Sequence, residues 1–429
     1  MSATHELPVR RNTFLLSAAL ATNSAMLQLS AAVASLTLVA VLDVEGLLGL
    51  GPAIVLASSA LAALPAGRAM DRIGRVPVLA AGYLTGAAGC GLAALGSASE
   101  LAPAVLGGLV LVGAASGVAL LSRTAAGDMY PPERRARGIA LVLFGAVFGA
   151  ILGPAVFSPL LAGRDLDGEA LAPLWLAAGA FMLVGCALVS AVRPDPRRIA
   201  ELLEQEPAPN PGALMRIAPA PAKPAPSRTT AAPLRELLDR PGVIPALIAA
   251  QASFAVMVGV MTLTGAVVVD HHGHEGHDVF PIIGAHVIGM YALVIVIGDL
   301  IDRIGRTPSL AGGLFVMAVS VISLLWVESV PATAVALFGL GLGWNLSFVA
   351  ATAELADLTL PSERGRLLGF NDLLSGATGA GLALLGGLAL TALGVAALAL
   401  GGTLLVVGPA LWILRNGIPE PVAKSPPPV

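Results

Sequence analysis

Five of the six histidines in the chain fall between positions 271 and 286. Four of them crowd one short polar segment, namely His271, His272, His274 and His277. Imidazoles so close together could hold a copper or zinc ion loosely. The fifth, His286, lies in an apolar run, where an ionisable side chain is costly and usually functional. We therefore predict that His286 is the deepest proton or metal acceptor of the chain.

Methionines accompany His286 at helical spacing. Met257 and Met261 are four residues apart in one apolar run, and His286 and Met290 are four apart in the next. Each pair therefore shares a helix face. If the two runs are antiparallel neighbours, a rise of ~1.5 Å per residue brings Met261 level with His286 and Met257 level with Met290. Three thioethers and one imidazole form a soft ligand set, which predicts a Cu(I) site.

A charged motif occurs twice in the chain. Its members are Gly67, Asp71, Arg72, Gly74 and Arg75, which recur as Gly298, Asp302, Arg303, Gly305 and Arg306 at a constant offset of 231 residues. The glycines permit tight turns and close approach of helices. Matched opposite charges at two equivalent positions predict a latch that holds one side of the molecule closed. We expect Glu133 and Arg134, and their later counterparts Glu363 and Arg364, to join the same charge layer.

The composition indicates what kind of elements must carry these residues. Of 429 residues, 56% are hydrophobic and 12% are charged, whereas soluble proteins carry about 25% charged residues. This excludes a soluble enzyme, and the net charge of −3 offers no positive excess for a nucleic acid. With two cysteines, a disulfide framework is excluded as well. We predict an integral membrane protein that is not an enzyme and has no cofactor.

Polar residues divide the chain into twelve apolar segments, most of them long enough for a helix that crosses a bilayer. The segments are 14–42, 46–66, 76–97, 101–122, 138–162, 171–192, 242–269, 279–301, 309–327, 331–354, 367–390 and 395–414. The motif repeat indicates duplication of a six-span unit. The prediction is an all-α membrane protein with two pseudo-symmetric six-helix bundles, 1–192 and 242–429. A proline-rich linker, 193–241, joins them, and 199–206 and 233–240 could form short amphipathic helices within it.

Basic residues indicate the orientation of the spans. When alternate connections are assigned to opposite sides of the membrane, all of the 24 Lys and Arg residues except Arg164 fall on the same side. Because positively charged loops stay in the cytoplasm, both termini are expected there, in a monomer of the plasma (inner) membrane. The first apolar run, 14–42, is much longer than a signal-peptide core, so we expect it to remain as the first span.

Neutral polar residues within the spans are candidates for the wall of a cavity. These candidates are Asn23, Gln28, Gln251 and Asn345. The carboxylates lie at or near the ends of spans. If His286 is not the group that couples transport to protons, Glu354 and Asp372 are the alternatives.

Together these features resemble the major facilitator superfamily, whose best-known mark is the motif G-x-x-x-D-R-x-G-R between spans 2 and 3. The resemblance implies two six-helix bundles around a central cavity that opens alternately to each side. The M-x-x-x-M and H-x-x-x-M patterns of spans 7 and 8 further resemble the CcoA-like (CalT) copper importers and the riboflavin transporters of the same branch. This implies Met257, Met261, His286 and Met290 as copper ligands. Leu109 stands where drug–proton antiporters carry an arginine in span 4.

The sequence therefore predicts a secondary active transporter in the lipid bilayer, with copper import as its first candidate function. The alternative is a carrier of small organic solutes, by riboflavin-like uptake or proton-coupled drug efflux. A sensor or scaffold is the competing class, but the linker contains no recognisable signalling domain.

Overall fold

The computed structural model of the chain describes residues 8–42, 50–149, 152, 168–205, 232–268 and 279–416. No β-strand occurs within these ranges. The α-helices of the first half, with the first linker helix, are α1 Val9–Leu42, α2 Leu50–Ile73, α3 Arg75–Ala98, α4 Ala102–Leu120, α5 Ser122–Met129, α6 Arg135–Leu143, α7 Gly168–Ser190 and α8 Pro196–Gln205. The later ones are α9 Leu234–Leu238, α10 Val243–Ala266, α11 Val279–Tyr291, α12 Val294–Ile304, α13 Arg306–Ser323, α14 Val330–Asp357 and α15 Pro361–Asn416.

Many of these helices can cross a membrane. Among the described residues, eight helices are long and apolar enough, and the pair α11 and α12, bent by 42°, makes a ninth if it is counted as one span. The long helix α15 breaks at Gly394, whose φ of 76° favours glycine. This break lies between the two last predicted spans, so α15 contains both. The structure confirms the predicted all-α membrane fold.

The helices pack as two halves that meet along equivalent pairs. Within the first half, α3 packs against α4 and α7; within the second half, α14 packs against α11 and α13. Between the halves, α2 packs against α15, and α12 packs against α6. These two contacts join span 2 to span 11 and span 8 to span 5, so each is the counterpart of the other.

Two short helices lie in the linker region. Helix α8 precedes the part of the linker outside the described residues, and α9 follows it. Both are anchored by burial, at Ile199 and Ala200 in α8 and at Leu237 in α9. Just before α8, the carboxylate of Asp195 accepts hydrogen bonds from the backbone amides at the start of α3. The two ends of the linker are therefore packed parts of the fold.

One boundary differs from the sequence prediction. The predicted fourth span ends at 122 and leaves Arg123 in a polar connection, but the helical span continues to Met129. Arg123 is fully buried. The guanidinium of Arg123 pairs with a carboxylate of the other half and contacts an aromatic ring. These contacts counter its positive charge in place of solvent, which is why the residue can be buried.

Candidate functional site

A cavity of about 450 Å³ lies between the two halves. Its lining residues are Leu20, Asn23, Ser24, Leu27, Val55, Leu56, Ser59, Ser116, Leu120, Leu143, Ala146, Phe254, Met257, Met290, Tyr291, Trp344 and Phe348. None of these described lining residues is an acid, a lysine, an arginine or a histidine. The cavity is therefore an apolar and aromatic chamber with a few hydroxyl and amide groups.

Aromatic rings of the second half form one wall of the cavity. Trp344 and Phe348 are one helical turn apart on α14 and stack with ring centroids 4.6 Å apart and an interplanar angle of 18°. Tyr291 meets Trp344 edge to face at 6.2 Å. Such a wall can stack against a flat ring of a ligand.

Two polar groups at this cavity have no hydrogen-bond partner among the described residues. They are Oδ1 of Asn23 on the first half and Nε1 of Trp344 on the second half. Asn23 is 3% exposed and Trp344 is 5% exposed. Because buried polar groups are nearly always paired, these two residues of the cavity wall stand out by an acceptor and a donor that the described residues leave unsatisfied.

A buried ion pair next to the cavity joins the two halves. Arg123 on α5 donates a hydrogen bond to the carboxylate of Asp372 on α15. The guanidinium carbon of Arg123 lies 4.5 Å from the ring centroid of Phe348, in a cation–π contact. Asp372 also lines a recess of about 50 Å³, which shares Phe348 and Phe254 with the main cavity.

Sequence reasoning missed the role of Arg123, although one signal was present. After Leu121 the first proline is Pro131, so the apolar helix had no strong stop signal before that position. Reading the helix onward would have placed an arginine inside it.

A charge layer lies at the end of the molecule that carries both motifs, which we call the motif end. There the carboxylate of Asp71 accepts a hydrogen bond from Arg75 at 2.8 Å. It also accepts the backbone amides of Gly365 at 2.9 Å and Arg366 at 2.7 Å. These amides belong to the first turns of α15. A carboxylate of the first half therefore caps the N-terminus of a helix of the second half, which is favourable for the helix dipole.

The first cluster of this layer is completed by Asp128. One of its carboxylate oxygens accepts Nε of Arg75 at 2.7 Å, and the other accepts Arg364 at 2.8 Å. Arg75 donates further to the carbonyl of Pro361 at 2.6 Å. The first cluster therefore joins α3 and α5 of one half to α15 of the other.

The second motif repeats this geometry with the halves exchanged. Asp302 accepts Arg306 at 2.7 Å and the backbone amides of Ala136 and Arg137 at 3.2 and 2.9 Å. It thus caps α6 of the first half. Asp357, at the end of α14, is the counterpart of Asp128, because it pairs with Arg306 at 3.2 Å and also with Arg135.

The remaining motif residues have different positions. Arg72 and Arg303 are exposed. Gly74 and Gly305 begin α3 and α13 with φ of 100° and 94°, conformations that favour glycine. At Gly67, the backbones of α2 and α15 come so close that a Cβ would overlap the carbonyl oxygen of Gly365.

The second pair of predicted charges requires a correction. Glu133 and Arg134 are exposed, and the arginine equivalent to Arg364 is Arg135. The offset of this part of the repeat is therefore 229 residues, one fewer than the sequence comparison suggested. A short 3-10 helix at Pro132–Arg134 precedes α6, and it leaves Arg134 outside the layer.

Glu363 anchors the second end of the linker. It accepts two hydrogen bonds from Arg240, at 2.7 and 3.0 Å, and backbone amides of Leu360 and Ala232 at 3.1 and 3.2 Å. Burial by itself raises the pKa of Glu363, but these hydrogen bonds outweigh it, so the pKa lies below its ordinary value. The residue precedes the membrane-spanning part of α15.

Of the four predicted metal ligands within the helices, two line the cavity and two do not. Met257 and Met290 line the cavity, whereas Met261 is half-buried and lies outside the described lining. His286 is buried, with Nδ1 2.9 Å from the carbonyl oxygen of Leu337 on α14. Its helix α11 packs mainly against α14, and α10 packs mainly against α15, so the two are not the close neighbours that the depth argument assumed.

The other metal and cavity candidates fall in several places. His271, His272, His274 and His277 lie outside the described residues. In the part of the chain that the structure describes, no group of three His, Cys, Asp or Glu could hold a metal ion. Of the neutral candidates, Asn23 lines the cavity, Gln251 donates to Asn371 at 3.0 Å beside Asp372, Asn345 is buried off the described lining, and Gln28 is exposed.

Comparison with known proteins decides the family of this chain. The family model of the Major Facilitator Superfamily matches residues 13–285 and 281–429. The chain belongs to the Major Facilitator Superfamily. An uncharacterized MFS-type transporter of Bacillus subtilis, YdeG, is 29% identical over 94% of this chain and 92% of its own length. The riboflavin transporter RfnT of Brucella anthropi is 31% identical over 73% of each chain.

Solved structures of this superfamily share the fold. The human organic anion transporter MFSD10 has a TM-score of 0.70 at 18% identity, covering 95% of this chain and 99% of that one. A bacterial homologue of the iron transporter ferroportin, in an outward-facing state, has a TM-score of 0.67 at 14% identity, covering 94% and 98%. These likenesses confirm the twelve-helix fold of the superfamily. The protein is a multi-pass membrane transporter and not an enzyme, and secondary transport by alternating access is the general behaviour of its family.

Proposed function

We propose that this transporter carries a small, flat, aromatic organic solute, with riboflavin as the first candidate. The observation that carries this proposal is the uncharged aromatic cavity with its unpartnered acceptor, Asn23, and donor, Trp344. A ring system can pack against the aromatic wall of Tyr291, Trp344 and Phe348 while its polar edge reaches both groups. The cavity volume lies within the range of about 300–1,000 Å³ that holds small organic ligands.

The relative from Brucella anthropi supports the same class of solute. It is a riboflavin transporter, and the match covers most of both chains. An isoalloxazine ring has a broad apolar face and an edge of alternating carbonyl and N–H groups. The two unpartnered groups offer complementary partners to such an edge.

Copper import is the second candidate, favoured by one specific observation. Met257 and Met290 line the same cavity and offer two soft thioether ligands. His286 contacts Leu337 through Nδ1, and its Nε2 has no partner among the described residues, but the residue is not part of the described lining of this cavity. The lining therefore offers a Cu(I) ion two thioethers and no imidazole, and we rank the organic solute first.

We further propose that the motif end faces the cytoplasm and that its charge layer is the latch of the transporter. The excess of basic residues on this side supports the orientation. In this conformation the latch is closed, since each motif carboxylate caps a helix of the opposite half. Opening toward the cytoplasm must break both caps.

One experiment separates the substrates. Vesicles containing the purified protein are given radioactive riboflavin, radioactive copper with a reductant, or a cationic dye, and uptake is followed for the parent protein and for Met257→Leu with Met290→Leu. We expect saturable riboflavin uptake that the methionine changes alter by less than about threefold, because leucine conserves their volume. Copper uptake lost in the methionine variant, with no riboflavin uptake by the parent protein, would establish the second candidate instead.

A further inference from the structure

The ion pair of Arg123 and Asp372 occupies a decisive place between the cavity and the proposed latch. Arg123 belongs to the first half and Asp372 to the second, so the pair crosses the interface that must open. Arg123 precedes Asp128 of the charge layer by five residues, which is about 7.5 Å along the helix. The pair therefore lies between the cavity and the charge layer of the proposed latch.

This pair is unusually poor in partners. Nε and Nη1 of Arg123 and Oδ2 of Asp372 are buried without a hydrogen-bond partner among the described residues. A buried ion pair is stable only when its remaining donors and acceptors are satisfied. If one partner loses its charge, the other becomes an uncompensated buried charge, and the pair then has no reason to stay together.

Few other charges act on Asp372. Its recess is lined by Leu56, Ser59, Ala60, Gly117, Leu120, Phe254, Phe348, Ser375 and Gly376, none of which titrates. The amide of Asn371 lies 3.4 Å away and is itself held by Gln251. Within the described surroundings, Arg123 is thus the one charged residue in direct contact with Asp372. Its Oδ2 atom is buried without a hydrogen-bond partner among the described residues, and Asp372 itself lines the recess that adjoins the cavity.

We propose that Asp372 is the proton-binding site of this transporter and that its protonation opens the motif end. A proton entering from the cavity binds Oδ2 and leaves a neutral carboxyl group. Arg123 keeps its charge and becomes a buried cation without a counter-ion, which is strongly unfavourable. The conformation in which the halves separate at the motif end and water reaches Arg123 is then favoured. The opening itself does not depend on the proposed substrate; the coupling of that substrate to the proton does.

Phe348 connects this site to the substrate. Its ring contacts Arg123 on one side and stacks on Trp344 on the other. A solute that displaces the Trp344 stack therefore acts on the same ion pair that the proton acts on. This shared contact gives substrate and proton a common control point.

The test measures opening directly and needs no substrate. Spin labels are placed on cysteines at Ile73 and Ile304, which are equivalent exposed positions of the two halves, in protein whose Cys90 and Cys186 are replaced by alanine. Electron–electron double resonance in nanodiscs then gives the distance across the motif end from about pH 5 to pH 8. We expect the long-distance fraction of the parent protein to grow as the pH falls.

Variants of Asp372 decide the proposal. Asp372→Asn mimics the protonated state, so its long-distance fraction should be high at every pH. Asp372→Glu keeps a titrating carboxylate and should keep a pH response. Glu201→Gln is the matched control, because this carboxylate is exposed and pairs with Arg197 of its own helix rather than across the interface; it should behave as the parent does. A parent-like distance and pH response in Asp372→Asn would overturn the proposal.

Transport assays then connect the site to the carried solute. Asp372→Asn should retain exchange of labelled for unlabelled riboflavin at equilibrium but lose accumulation driven by a pH gradient. If the parent protein carries no riboflavin, the proposed substrate fails while the distance measurement still decides the role of Asp372.

Discussion

Trp344 can contact the solute in two ways, through the face of its indole ring and through its N–H group. Trp344→Phe keeps the stack on Phe348 and removes the donor. A lost hydrogen bond to a buried partner costs about 1–3 kcal/mol, so we expect KM for riboflavin to rise about tenfold or more, since 1.4 kcal/mol is a factor of ten. Trp326→Phe is the control, because Trp326 is 72% exposed and is not part of the described cavity lining. Equal KM values for the two variants would contradict this assignment.

The carboxylate of Glu363 gives a residue-level prediction on pH. The pKa of Glu363 lies below its ordinary value. Its hydrogen bonds therefore stabilise the fold at any pH above the ordinary pKa, and this stabilisation is lost as the pH falls through the lowered pKa. We expect hydrogen exchange of segment 232–240 to accelerate in that acidic range. Arg240→Gln removes two of the bonds and should move the acceleration to higher pH. Arg235→Gln, at an exposed position in α9, should leave it where it is.

The sequence could anticipate some residues of the site and not others. Asp71 and Arg75 are four apart on the chain, and their repeat at a fixed offset marks them without a structure. Arg123 and Asp372 are separated by 249 positions, and only the apposition of the two halves brings them together. For His286, the sequence spacing predicts which face of its helix carries the side chain. It does not predict which other helix packs against that face.

At the scale of elements, the latch consists of helix ends capped across an interface. Replacing Asp71 and Asp302 together with asparagine leaves the shape of both caps but removes the charge, and hydrogen bonds from a charged group are roughly twice as strong as neutral ones. We expect normal expression. The transport rate should fall to about a tenth or less, because the two weakened caps together lose more than about 1.4 kcal/mol, the free energy that corresponds to a tenfold change. Transport at the parent rate in this double variant would remove the latch from the mechanism.

The packing of α2 on α15 gives a second prediction at this scale. Gly67→Ala places a methyl group where the carbonyl of Gly365 lies, so the two helices must separate. We expect the motif end to be forced toward the open state, with a larger long-distance fraction between labels at positions 73 and 304. Gly91→Ala is the control, because no atom of another element lies within 4 Å of its added Cβ. This variant should have the same long-distance fraction as the parent protein.

Helix positions were largely predictable because a bilayer imposes length and apolarity on each span. The neighbours of each helix were not, since adjacent spans in the chain need not be adjacent in space. Spans 7 and 8 show this, because α10 and α11 each pack against helices much later in the chain. The prediction of one four-ligand copper site depended on that unpredicted neighbour relation.

For the whole molecule, the structure predicts that the two halves assemble without a continuous linker. The ion pairs and helix caps of both clusters cross the interface, and the linker ends are anchored each by its own contacts. Co-expressed fragments cut within 206–231 should therefore co-purify and transport. With Asp71→Asn and Asp302→Asn in the fragments, we expect the co-purified yield to fall. Fragments that never associate would show that the linker, rather than the interface, holds the halves together.

The two capped clusters are self-complementary, in the way that the interface of a twofold dimer is isologous. Each half supplies the same donors and the same acceptors, so two identical six-helix chains could form the entire latch between them. The pair of Arg123 and Asp372, in contrast, has no equivalent pair when the two halves are exchanged. At the offset of 229 that relates Asp128 to Asp357, the equivalent positions hold Thr352 and Leu143. Two identical subunits with those residues could close, but they would lack this charge pair. A charge pair without a symmetry-related counterpart, such as this one, therefore requires two halves that differ in sequence, and joining the halves in one chain permits that difference.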